Sequence, residues 1–179
     1  MSTFNIKSLV LENRDASPKV LTDPIQSKGY SKDMIGVQRT SAPIIDAGST
    51  IKLLTVSSGA RLAELFYAAD NLGTSSLDVA VFYPAVIPVG GFATPAASLA
   101  GTVVSSSTFA VAIAGVTAGI AWTDAMGLPS VHSIQRRAMP LWQAIGMSAD
   151  PGIDLDIGFS VRTATALQGY VGLKARFVE

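Results

Sequence analysis

Few side chains in this chain are suited to chemistry, and they are scattered. The single histidine, His132, stands between Val131 and Ser133. A histidine becomes a general base when a carboxylate orients its ring and a pocket presents a proton to it, and the sequence reveals neither. It reads as a structural or surface residue. Asp150, Asp154 and Asp156 are close enough to suggest calcium, but the loop spacing of a calcium hand, with its central Gly and closing Glu, is missing. These aspartates read as a solvated face. Cysteine is absent, which excludes thiol catalysis, disulfides and Cys-based zinc sites. No G-x-S-x-G turn presents a serine nucleophile. The pair Gly90–Gly91 is not followed by the Gly-Lys-Ser/Thr of a phosphate cradle. No catalytic, cofactor-binding or metal-ligating residue is therefore assigned, and the chain is expected not to be an enzyme.

The remaining candidates suit contact rather than reaction. Arg136–Arg137 is the sole basic pair, too small a footprint for nucleic acid, where affinity grows with the number of phosphates neutralised. Trp122 and Trp142 lie in nearly uncharged sequence. Trp142 is read as a core anchor and Trp122 as an interface residue.

The elements that must position these residues are mostly strands. The clearest signal is Ile153, Leu155, Ile157, Phe159 and Val161 alternating with Asp154, Asp156, Gly158, Ser160 and Arg162, the period of a half-buried strand. In Gln168–Val178, Val171, Leu173, Ala175 and Phe177 alternate with Tyr170, Gly172, Lys174 and Arg176. The two segments predict a terminal hairpin with one wet face. Earlier, Ser49–Val56, a turn at Ser57–Gly59, Ala60–Ala68 and turn chemistry at Asp70–Gly73 predict another hairpin. Ser76–Tyr83 sets Leu77, Val79, Val81 and Tyr83 on one face, with Ser76, Asp78, Ala80 and Phe82 on the other. One short helix is predicted over Met139–Gly146, opened by Pro140 and closed by Gly146. Thr108–Ile113 reads either as a strand or as a buried helical turn.

Short strands, turn punctuation and one small helix describe an all-β fold, a β-sandwich or jelly-roll-like domain over residues 47–179. Residues 1–46 carry 11 of the 26 charged side chains and include Ser17–Pro18 and Asp23–Pro24. Such X-Pro steps disfavour helix, so this segment is read as an extended N-terminal arm. Phe4, Ile6, Leu9, Val10 and Tyr30 would be odd choices for pure solvent. They are taken, with Trp122, as interface candidates.

Composition points the same way. The 13 basic and 13 acidic residues cancel, which removes the long-range field used by most binders of nucleic acid or membrane surfaces. Charged residues are 15% of the chain, the hydrophobic fraction is 49% and the mean hydropathy is +0.41; about 25% charged is usual in soluble domains. Apolar surface that the charges cannot cover belongs at an interface, so assembly is expected. From Val79 to Thr123 no residue is charged, but Pro84, Pro88, Pro95 and Gly90–Gly91 interrupt the run. No stretch is long and apolar enough for a membrane helix. The N-terminus lacks the basic start and apolar run of a secretory signal, so synthesis in the cytoplasm is expected.

Three segments carry a resemblance to a known group. They are Leu53-Leu-Thr-Val-Ser-Ser-Gly-Ala-Arg-Leu62, Asp70-Asn-Leu-Gly-Thr-Ser-Ser-Leu-Asp-Val79, and Trp142-Gln-Ala-Ile-Gly-Met-Ser-Ala-Asp-Pro-Gly152 with the two strands that follow. Across roughly Thr50 to Val178 the chain resembles the head decoration, or capsid cement, proteins of tailed phages. The resemblance rests on strand and turn patterns; the long uncharged middle has no counterpart in it. It implies a virion structural protein on the outer surface of the capsid, made in the host cytoplasm. Its partners would be the major capsid protein and copies of itself, a trimer being the first expectation, with no nucleic acid, membrane or cofactor. Two alternatives fit the same residues: another phage structural component, of tail or fibre base, and a carbohydrate-binding β-sandwich module. Aromatic residues are 7% of the chain, few for the exposed platforms that carbohydrate binding uses.

Overall fold

A computed structural model describes residues 31–40, 47–87, 95–114, 119–126, 137, 139–164 and 169–178. The strands are β1 (Ser31–Arg39), β2 (Thr50–Ser57), β3 (Arg61–Ala69), β4 (Ser76–Phe82), β5 (Val103–Ser105), β6 (Ile113–Ala114), β7 (Ile120–Asp124), β8 (Asp154–Thr163) and β9 (Tyr170–Val178). A 3-10 turn spans Ala97–Leu99, and one helix, α1, spans Leu141–Ala144. All strand pairs are antiparallel. The first sheet has the order β1-β9-β3-β7, and the second the order β2-β8-β4-β5 with β6 also on β4. The molecule is an all-β sandwich.

The alternation in β8 and β9 is observed as read. Leu155, Ile157, Phe159 and Val161 are buried on one face of β8, and Val171, Leu173, Ala175 and Phe177 on one face of β9. These rows, with Leu65 from β3 and Leu77, Val79 and Val81 from β4, form one core cluster. Each of the Val, Leu, Ile and Phe side chains among them contributes about 1.5–3 kcal/mol when fully buried.

The expected hairpins do not form. β8 pairs with β2 and β4, whereas β9 pairs with β1 and β3. β2, β3 and β4 likewise do not pair with one another, because they alternate between the two sheets. The reason is geometric: two strands that each bury one face give the same alternation whether they lie side by side or face each other across a core about 10 Å thick. At the β2–β3 corner the turn is tied to α1 and β8 rather than across a hairpin. Ser58 N–H donates to the Ile153 carbonyl (2.9 Å), and the Leu141 N–H to the Ala60 carbonyl (2.8 Å).

β1 comes from the charged N-terminal segment and pairs along its whole length with β9 of the same chain. Its central Gly36 lies directly on the backbone of Leu53, the residue at which the β2–β8 register shifts. A side chain at Gly36 would strike the Leu53 carbonyl, so the small residue lets the edges of the two sheets meet.

The helix is shorter than predicted, with Pro140 in extended backbone ahead of it and Gly146 at φ +84 after it. Leu141 and Ala144 face the core, leaving Trp142 half-buried instead of a core anchor. Thr108–Ala112 is neither strand nor helix. Phe109 and Ala110 are buried in an irregular run, the Ala110 carbonyl accepts from Val79 N–H (2.8 Å), and Ala112 adopts φ +51. Among the described residues no helix is long and apolar enough to cross a membrane.

Candidate assembly surface

The two sheets treat their outer faces differently. On the second sheet the outward positions of β4 are covered: Asp78, Ala80 and Phe82 are buried just as their core-facing neighbours are. Lys52 lies across this face. Its Nζ donates to the Tyr83 carbonyl (2.9 Å), pairs with Asp156 Oδ2 (3.2 Å) and sits 5.5 Å from the Phe82 ring centre. Asp78 accepts from the Ala112 N–H (2.6 Å) and from Arg162 Nε (3.2 Å). A buried carboxylate is costly unless charge and hydrogen bonds compensate it, and here both do.

Among the described residues no segment covers the outer face of the first sheet. β9 sends Tyr170, Gly172, Lys174 and Arg176 outward, and the register sets them beside Arg39, Val37, Ile35 and Asp33 of β1. On the other side β3 places Ala68 beside Gly172, Phe66 beside Lys174 and Glu64 beside Arg176. Ile35 is 63% exposed, Val37 56%, Tyr170 51% and Trp122 48%. Four large apolar side chains on one face are more than scattered surface residues require.

Small residues shape the centre of this patch. With Gly172 and Ala68 in one row, Trp122 from β7 lies over the sheet until its ring edge would meet a Cβ on Gly172 at 3.1 Å, with Val37 Cγ2 at 3.5 Å from the other side. The result is a shallow hollow of about 130 Å³ lined by Val37, Ala68, Ile120, Trp122, Tyr170 and Gly172. A charge ladder bounds the patch on one side: Arg176 Nε donates to Asp33 Oδ1 (2.8 Å), and its Nη1 reaches Glu64 Oε1 (3.3 Å). The Arg176 hydrogen bond holds the Asp33 carboxyl below its ordinary value, and Asp33 in turn raises the Arg176 guanidinium. Arg137 and Asp124 pair at 3.1 Å beside β7. At the other end Asp70 Oδ2 accepts the Tyr170 N–H (2.8 Å).

Of the residues singled out from sequence, Trp122 lies in this patch. Phe4, Ile6, Leu9, Val10, Tyr30, His132 and Arg136 lie outside the described residues. Ile35, Val37 and Tyr170 were missed; the signal was the Asp33-Ile35-Val37-Arg39 alternation, obscured because the surrounding charges made the whole segment read as an arm. Asp150 and Asp156 have separate structural partners, and the three aspartates do not converge. Asp150 accepts from Ser58 Oγ and the Gly152 N–H, Asp156 from Lys52 and Thr55, and Asp154 is exposed on β8. A second apolar area, with Val86 79%, Val103 42% and Leu99 39% exposed, lies along the β4–β5 connection.

No family model and no curated protein matches the chain. Among solved structures it is similar to a chain of the cyanophage Pam1 capsid asymmetric unit, at 17% identity over 92% of this chain and 96% of that one, with a TM-score of 0.43.

Proposed function

We propose that this chain is a non-enzymatic virion structural protein, a decoration or cement protein that binds the outside of a phage head and stabilises contacts between major capsid proteins. The observation that carries this reading is the exposed apolar face of the first sheet, set against the buried outward positions of β4 in the second, in a chain with little charge to spare. Burying apolar area at roughly 25 cal/mol per Å² would offset the entropy of association over a standard-size contact, and particle symmetry would repeat the gain. The strand order supports the reading. With β6 set aside, eight strands in the orders β1-β9-β3-β7 and β2-β8-β4-β5 fit the double-sheet jelly roll, used by viral capsid and lectin domains.

Self-association belongs to this reading, and the order of the oligomer depends on the contact. A two-fold contact is self-complementary, whereas a trimer joins two different patches. Purified particles should contain this chain in stoichiometric, symmetry-matched amounts, removable without loss of the shell. Its absence from particles would overturn the proposal, and stoichiometry matched to the tail would move it to a tail component.

A carbohydrate-binding role is the second reading, favoured by the exposed Trp122 and Tyr170 either side of the Gly172 hollow. Glycan binding lost on Trp122→Ala would support it.

A further inference from the structure

We propose that β1 is a self-complementary edge at which two copies join antiparallel, Gly36 against Gly36 on a two-fold axis, so that two first sheets become one. The inference goes beyond the capsid reading and stands on the geometry of the edge alone.

β1 lies at the end of the order β1-β9-β3-β7, and no strand among the described residues pairs with its other side. Three hydrogen bonds fix which of its groups face outward. Thr40 N–H donates to the Gly169 carbonyl (2.8 Å), so Thr40 points toward β9. The N–H and carbonyl of Tyr170, opposite Arg39, are taken by Asp70 on the β3 side. Directly opposed residues of an antiparallel ladder alternate between bonded and non-bonded pairs, and the β1–β9 register runs without a shift. The backbone groups of Ser31, Asp33, Ile35, Val37 and Arg39 therefore face the open edge. Of these the Arg39 carbonyl accepts from the exposed Gln38 side chain (3.0 Å), a contact that a strand can displace.

A second β1 must oppose these residues to one another, which restricts the register to alternate steps. Among the permitted registers, centring on Gly36 sets Asp33 against Arg39 of the second copy and Ile35 against its Val37, each twice. Centring on Ile35 or on Val37 instead sets Asp33 or Arg39 against an aliphatic side chain. The chosen register also extends the existing ladder, Glu64, Arg176 and Asp33 being followed by Arg39 of the second copy in alternating sign. Ile35 and Val37 are covered at the junction, and the Trp122 hollows become parts of one longer face. Among the described residues β1 is a nine-residue edge with no proline and no register shift, two features that commonly blunt an edge.

Sedimentation velocity on the full chain tests this. A dimer is expected, lost on Val37→Pro, where the outward N–H is removed and the bonds to β9 remain. Far-UV circular dichroism should be unchanged. Arg39→Asp, at an exposed position, should weaken dimerisation about tenfold or more by opposing like charges twice, whereas Arg39→Lys, which keeps the charge, should leave the dimer in place. A monomer, a trimer, or a dimer indifferent to Arg39→Asp would overturn the proposal. So would a dimer abolished by deleting residues 2–30 but unaffected by Val37→Pro, since the N-terminal segment would then be the joining element.

Discussion

Individual residues on the open face titrate and pack in ways that can be measured separately. Asp33 is held low by its hydrogen bond to Arg176. A depressed carboxylate adds stability above its unfolded value near 3.9, and that contribution is lost as pH falls through the lower folded value. Carboxyl titration by NMR should place Asp33 below the ordinary range, and Arg176→Gln should return it toward about 3.9. Asp78 differs in being buried, with the Ala112 N–H and Arg162 both directed at it. Asp78→Ala should cost about 1–3 kcal/mol in urea unfolding, because the Ala112 amide loses its acceptor in a covered site. Alternation in sequence placed Asp78 on a strand face but did not show that this face is covered. Trp122 was singled out in sequence as an interface candidate and lies exposed on the face of the first sheet, whereas Ile35 and Val37 were hidden by the charges around them.

Strands were legible where one face is apolar, and their pairing was not. Ile153 to Val161 announced β8, but alternation records that a face is buried and not whether the next strand lies beside it or across the core. Only the register separates those cases, and it depends on close approaches such as Gly158, where an added Cβ would strike the Ile51 carbonyl of β2. Gly158→Ala should therefore push β2 away from β8 and lower stability by about 1–3 kcal/mol in thermal or denaturant unfolding. The same change at Gly152, with open space around it but φ +61, is expected to act through backbone strain alone. Thr108–Ala112 was open in sequence between strand and helix, since a short apolar run fits both; a buried carboxylate holding a left-handed alanine is a third solution that no periodicity encodes.

For the whole molecule, the asymmetry between the buried outward side of β4 and the exposed apolar face of the first sheet separates what folds the chain from what it presents. Trp122→Ser should reduce retention on a hydrophobic-interaction column and weaken particle binding, while leaving the melting temperature within a few degrees, because half of the ring already meets solvent. The ordering of strands has a further consequence, in time rather than in space. Ser31 is paired with Val178, and β9 lies between β1 and β3. During synthesis the first sheet therefore cannot close until β9 has emerged, and the core-facing side chains of β4 lack their full cover until then. Pairings this distant in sequence place folding in the millisecond-to-second range typical of sandwiches. Yield in the cell should thus fall with temperature and expression rate before any loss of final stability is measurable.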